Sequence, residues 1–453
     1  MPSTAPCIPA PPTVAERLAP VLPWLAVLLL PPAVLLAFRF PPVSMNNYQD
    51  AFFYLGLAQR PADLIARFGP TYFSVRFGYL LPEAAFAALF KGLTGLVLLR
   101  YALTVMVGTL LYATLAPRGG RVAALFAFLF WLVCPITARL TLGTYVDLTV
   151  VTFAMAGILV LLRRADGPTT GDAVLGGALF GLAIHSNFFA FSILAALLPA
   201  YAILYFGRAA GFHLRILGGI VAGIALTTAA GFLFYRVAFG VPNLFAPTLD
   251  TIRQLLFGDL NIYASHDVSW MARDLNIYAP VPIFAAWIAC HDGRRDRFTT
   301  ALAVVLPVQY ALCLVFDGFF SGYSLKYYWY FSYLLPGMTL CLGSAAVMLA
   351  RQGRRGFTAW PCAVLGLAVT AWMLAAQREW VPHLAIGPQT LAIACTALLM
   401  LAAAVRARGL ASRTLVAALS VCGGFWLMMT SPDLLQMYYK RLADDRPVVR
   451  EAL

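Results

Sequence analysis

The sequence has few charged residues. Only 11% of its 453 residues are charged, against roughly 25% in soluble domains, while 61% are hydrophobic and the mean hydropathy is +0.80. A water-soluble fold cannot bury that much apolar surface, which excludes the soluble globular class. Apolar runs of about 20 residues, the length that crosses a bilayer, recur along almost the whole chain. This pattern predicts an all-α, polytopic helical membrane protein.

Spacings typical of metal or disulfide sites are also missing. The eight cysteines stand singly, mostly inside apolar runs and without a CxxC pair, as small core residues do. The histidines form no HxxxH pair, the first polar loop has no DxD triplet, and no phosphate-binding glycine loop is present. We therefore predict no cofactor and no metal ligands, and a divalent ion is not indicated.

Acidic residues are scarce enough to leave a formal charge of +13. The basic residues do not alternate with exposed aromatics, which argues against a nucleic-acid partner. They cluster between apolar runs instead, and a cytoplasmic N-terminus places every cluster on the cytoplasmic side, as the positive-inside rule requires. The clusters are Arg118/Arg121, Arg163/Arg164, Arg208/Arg215, Arg294/Arg295/Arg297, Arg351/Arg354/Arg355 and Arg406/Arg408/Arg413.

About thirteen membrane-spanning helices are predicted. They lie at 21–39, 93–116, 122–140, 147–162, 172–186, 188–206, 214–239, 278–290, 298–316, 328–350, 357–377, 386–405 and 414–430. We expect one transmembrane domain over 1–430, followed by a short outer tail at 431–453. The expected location is a bacterial inner (plasma) membrane, with the functional face periplasmic or extracytoplasmic.

Two breaks on the outer side are long, at 41–92 and 240–277, and long loops commonly carry function. In the first, Tyr48–Gln59 and Gly78–Phe90 have helical apolar spacing but are too short or too broken to span. We predict helices along the membrane surface there. The alternative is a further span over Tyr72–Phe90, which would leave Arg76 buried.

Three outer carboxylates are candidates for catalysis: Asp50 near the start of the first loop, Glu83 in the second surface helix, and Asp147 at the start of a predicted span. An acid at the membrane boundary has restricted solvation, which raises its pKa toward the range useful for accepting a proton. Helix capping by Asp50 and a favourable interaction of Asp147 with a helix dipole are the alternatives, and the sequence leaves them open.

Candidate phosphate partners are Arg76 and Lys326, because a cation at the membrane surface can neutralise a lipid-linked phosphate. Lys326 opens the aromatic stretch Tyr327–Tyr333. Tyrosine and tryptophan ordinarily mark the lipid interface. Anchoring is therefore the alternative role of this stretch.

The layout resembles the C-type (GT-C fold) membrane glycosyltransferases, nearest to the branch of protein O-mannosyltransferases and lipid A aminoarabinose transferases. Its local matches are Tyr48-Gln49-Asp50 with Tyr54, the segment Arg76–Pro82, Tyr145-Val146-Asp147, and the segment Lys326–Pro336. The chain departs from that pattern in lacking a basic residue soon after Glu83.

The resemblance implies an inverting transfer of a sugar from a polyprenyl-phosphate carrier to an acceptor hydroxyl on a lipid, polysaccharide or protein. It implies that Asp50 is the general base and that Asp147 and Glu83 are second acids. The implied substrate-binding residues are Arg76, Lys326, Tyr54, Tyr145 and Tyr327. A transporter or lipid flippase of cell-envelope glycolipid is the alternative function, and a non-catalytic membrane scaffold is a third.

Overall fold

The computed structural model describes residues 21–37, 49–119, 121–133, 145–162 and 166–257. It also describes position 164 and isolated positions between 137 and 143 and between 305 and 340. Helices dominate these residues. In chain order they are α1 (Leu22–Ala37), α2 (Gln49–Gln59), α3 (Pro61–Phe68), α4 (Phe77–Phe90), α5 (Gly92–Gly119), α6 (Arg121–Val133), α7 (Asp147–Leu162), α8 (Thr170–Ile184), α9 (Ala190–Tyr205), α10 (Ala210–Phe239) and α11 (Phe245–Phe257).

Helices α1 and α5–α10 lie where the first seven spans are predicted. The stretch Gly92–Pro117 and the whole of α10 are long and apolar enough to cross a membrane, and only 22% of the apolar window of α10 is buried. Leu226, Leu233 and Val237 on α10 are more than 60% exposed. Such an apolar outer face suits lipid rather than water. The predicted spans from 278 onward fall almost entirely outside the described residues.

Glycines bring α8 and α10 into close contact. A Cβ atom on Gly177 would lie 2.1 Å from the carbonyl oxygen of Ile220, and one on Gly223 would lie 2.1 Å from that of Val174. Small residues at such crossings allow two membrane helices to approach backbone to backbone. This contact fixes the position of α8, which also packs against α7.

Two of the arginine clusters that lie between predicted spans meet at one end of the bundle. Arg164 Nε lies 2.8 Å from Asp172 Oδ2, and the Asp172 carboxylate also accepts from Thr169 in a capping box at the start of α8. Arg208, between α9 and α10, donates to the carbonyl oxygen of Asp166 at 3.1 Å. The start of α7 and the end of α8 therefore lie at the opposite end.

The first loop contains α2, α3 and α4. The sequence predicts helices near α2 and α4 but not α3, which begins at Pro61, where proline suits a first helical turn. Gly78 docks α4 onto the end of α8, because its N–H donates to the carbonyl oxygen of His185 at 3.3 Å. Residues 69–76 are not helical, so the helix begins at Phe77 and not at Tyr72. Whether α4 lies along the bilayer stays a prediction.

Candidate active site

Arg76 occupies the centre of an aromatic cluster immediately before α4. Its side chain is almost fully buried and donates a hydrogen bond to the Tyr54 hydroxyl. The guanidinium carbon lies 3.9 Å from the centre of the Tyr72 ring and 5.5 Å from that of Phe73. Its Nε has no hydrogen-bond partner among the described residues. A buried cation is thus held by aromatic faces.

Tyr54 and Tyr145 close the cluster from α2 and from the turn before α7. Tyr54 is fully buried, and its ring meets Tyr145 edge-on with the centres 5.7 Å apart. Tyr145 also interacts with the Arg76 guanidinium, whose carbon lies 6.0 Å from the Tyr145 ring centre. Three predicted substrate-binding residues that are far apart in the chain therefore lie together, and their roles stay predictions.

Asp147 is the first residue of α7 and lies two positions after Tyr145. Its side chain is 6% exposed, and its Oδ1 accepts a hydrogen bond from the Tyr333 hydroxyl. The backbone carbonyl of Tyr333 accepts in turn from Gln309 Nε2 at 3.1 Å. The carboxylate is therefore held in a defined position at the positive end of the α7 dipole. The alternative role of Asp147, a favourable interaction with that dipole, requires the same position.

Asp50 is the second residue of α2 and precedes Tyr54 by one helical turn. Positions four apart share a face of a helix, and Tyr54 is on the face that meets Arg76. Asp50 lies near the start of α2, and its catalytic and capping roles both stay predictions. Its side chain, like Lys326 and Tyr327, lies outside the described residues.

Glu83 lies on α4, where its carboxyl group is 1% exposed. Its neighbours are the Tyr79 hydroxyl, one turn earlier on α4, and Arg100 of α5. Arg100 Nη2 donates to the Tyr79 hydroxyl at 3.0 Å. Burial raises the pKa of Glu83 to about 7, while Arg100 and Tyr79 act in the opposite direction.

The Glu83 group joins the Arg76 cluster through Tyr79, whose ring centre lies 5.1 Å from that of Tyr54. The sequence analysis missed Arg100 because it was counted inside an apolar span. The available signal was a lone arginine in an otherwise uncharged run, and such residues in spans usually have a function and a partner. Arg100 is a cation close to the Glu83 carboxyl group.

His185, a half-buried side chain, caps the end of α8 beside the cluster. It stacks on Phe77 with ring centres 4.3 Å apart, and its Nε2 lies 2.9 Å from Thr228 Oγ1 on α10. In the part of the chain that the structure describes, no three His, Cys, Asp or Glu side chains come together as metal ligands would.

No family model and no curated protein matches the chain. Among solved structures, it is similar to ArnT from Cupriavidus metallidurans. The structure of that protein bound to undecaprenyl phosphate has a TM-score of 0.57 and 17% identity, covering 95% of this chain and 80% of that one. The apo structure has a TM-score of 0.54, also at 17% identity, covering 96% of this chain and 81% of that one.

The chain has the GT-C fold. The similarity is one of fold, and it confirms the predicted all-α, polytopic helical membrane class. The number of membrane spans stays a prediction. Within the GT-C fold, the Arg76 cluster lies at the end of the bundle opposite to the Arg164 and Arg208 contacts, because α7 begins and α8 ends there.

Proposed function

We propose that the protein transfers a sugar from a polyprenyl-phosphate carrier to an acceptor hydroxyl on the outer face of the membrane. The observation that carries this proposal is the burial of Arg76 without an ion-pair partner in the described part of the chain. A buried cation needs a counter-charge. In a fold shared with a protein whose structure contains undecaprenyl phosphate, a phosphate head group is the anion that suits a guanidinium best.

Arg76 would stabilise the leaving group. When the bond between the anomeric carbon and the phosphate oxygen breaks, its electron pair stays on that oxygen, so negative charge grows on the phosphate. The Arg76 Nε, which has no partner among the described residues, is available to donate to it. Tyr54 and Tyr145 orient the guanidinium in this role, and Lys326 and Tyr327 are the second group of proposed phosphate contacts.

Asp50 would be the general base. It accepts the proton of the acceptor hydroxyl while that oxygen attacks the anomeric carbon from the side opposite to the phosphate, which inverts the configuration. One turn of α2 separates it from Tyr54, whose hydroxyl accepts a hydrogen bond from Arg76. Asp147, fixed by Tyr333, and Glu83 are second acids that orient the acceptor or the base.

The carrier chain would lie between helices, with its head at the cluster. An apolar groove on α10 and α11 supports this placement, and its lining includes Ile224, Thr228 and Phe245. Thr228 contacts His185, which stacks on Phe77. Since Phe77 directly follows Arg76, His185 lies between the groove and the cluster.

The test uses purified protein in lipid nanodiscs, a panel of undecaprenyl-phosphate-linked sugars and an envelope extract as the source of acceptors. We expect release of free undecaprenyl phosphate by the wild type. Asp50→Asn keeps the shape of the side chain but removes the base, so release should fall by about 10²-fold or more while donor binding survives. Asp63→Asn, on α3 of the same loop and exposed, is the matched control.

Turnover of Asp50→Asn within a few-fold of wild type would move the base to Asp147 or Glu83. Passage of the lipid across the membrane by the wild type, without release of its phosphate, would instead favour the flippase alternative.

A further inference from the structure

Arg100 is a buried cation inside a predicted span. It is the ninth residue of α5, one of the two described helices long and apolar enough to cross a membrane, and its side chain is 2% exposed. An arginine stays protonated in a protein. Burial of its charge is costly unless an opposite charge and hydrogen bonds compensate it. The neighbours of Arg100 therefore indicate its role.

Glu83 is the acid that the described structure places beside Arg100. Between them stands Tyr79, which accepts a hydrogen bond from Arg100 Nη2 at 3.0 Å, so that its own O–H proton is left to donate. The Arg100 guanidinium carbon also lies 5.5 Å from the Tyr79 ring centre. The three residues thus form one buried polar group between α4 and α5.

This group has unused hydrogen-bonding capacity. Neither carboxylate oxygen of Glu83 has a well-aligned partner within the described residues, and the same holds for Nε and Nη1 of Arg100. Buried polar atoms are seldom left in this state. The carboxylate oxygens therefore retain the capacity to accept a further hydrogen bond or a proton.

We propose that Arg100 is a positioning residue that favours the ionised form of Glu83 and, with Tyr79, orients its carboxylate beside the Arg76 cluster. This proposal rests on the proposed function, because it serves Glu83 as the second acid. Without Arg100, the carboxyl group would be buried with less to offset its charge and would hold its proton up to a higher pH. With Arg100, the carboxylate can accept a hydrogen bond from an acceptor hydroxyl.

Other titratable groups on the elements around α4 face elsewhere. The ring of Tyr54 on α2 contacts the Tyr79 ring, and its hydroxyl accepts a hydrogen bond from Arg76. His185 at the end of α8 stacks on Phe77, and Asp147 of α7 is bound to Tyr333. Among the described groups, Arg100 and Tyr79 act on the Glu83 carboxyl.

The experiment is an infrared titration of the protein in nanodiscs, in which the C=O stretch of protonated Glu83 is assigned by its loss in Glu83→Gln. The wild-type midpoint is expected near pH 7. Arg100→Gln should move it upward by about one pH unit or more, since a nearby opposite charge shifts a carboxyl by about 1–3 units. Arg100→Lys should leave it closer to the wild-type value. Arg215→Gln, which removes an exposed arginine from α10, should not change it.

Two further variants keep the test decisive if Arg100→Gln folds poorly. Tyr79→Phe removes the bridging hydroxyl at nearly constant volume and should also raise the midpoint. Arg100→Gln combined with Glu83→Gln should recover thermal stability lost in the single Arg100 variant, because no charge is then buried alone.

Unchanged midpoints in Arg100→Gln and Tyr79→Phe would overturn the proposal, as would a double variant that recovers nothing when Arg100→Gln alone does not fold. The titration needs neither sugar nor turnover. Its outcome is therefore separate from that of the transfer assay: an intact Arg100 effect in a protein that transfers no sugar would refute the proposed function alone.

Discussion

Replacing Arg76 tests the phosphate site most directly. Arg76→Ala removes the guanidinium that stacks on Tyr72 at 3.9 Å and donates to Tyr54. A hydrogen bond to a charged group contributes about 1.5–3 kcal/mol. The variant should therefore bind undecaprenyl phosphate about 10- to 150-fold more weakly. Arg76→Lys keeps the charge but loses the planar stacking and the several N–H donors of the guanidinium. Its affinity for undecaprenyl phosphate should therefore lie between those of the wild type and Arg76→Ala.

The assay is a binding titration of undecaprenyl phosphate to protein in nanodiscs, repeated with undecaprenol, which has the same chain without the phosphate. Only the phosphate ligand should lose affinity. Arg67→Ala is the matched control, since Arg67 lies in the same loop and is exposed. A thermal melt accompanies each variant, because loss of a desolvated cation–aromatic contact costs stability of about 2 kcal/mol. Equal phosphate affinities in wild type and a folded Arg76→Ala would refute the reasoning.

Three further predictions concern the second phosphate partner, the topology and the helix packing. Lys326→Ala should weaken undecaprenyl-phosphate binding more than Lys326→Arg, and equal affinities would remove Lys326 from the site. A reporter active only outside the cytoplasm should signal when fused after Asp433 and stay silent after Arg354; a silent Asp433 fusion would mean a miscounted span. Gly177→Ala should lower the unfolding temperature, because its Cβ would lie 2.1 Å from Ile220 O and overpacking costs about 1–3 kcal/mol. Gly218→Ala, with open space around its Cβ, should not, and equal melts would contradict the close packing.

The sequence by itself determines the membrane class and the helices α1 and α5–α10. In lipid, every backbone polar group must be satisfied within the segment, so a long apolar run has to be a helix. The runs at 93–116 and 214–239 accordingly correspond to α5 and α10. The paired arginines also mark the breaks, and the contacts of Arg164 and Arg208 show two of them at one end.

Only the tertiary structure decides which side chains meet. Hydropathy does not indicate that Tyr333 donates to Asp147, 186 residues away, nor that Arg76 is enclosed by tyrosines from three segments of the chain. Arg100 is the clearest case. Its position in an apolar run predicts only a helix, whereas its role depends on the side of α5 that packs against α4 and Glu83. Helix formation depends on local apolar character, but contacts between helices depend on packing over long separations in the sequence, which no local pattern specifies.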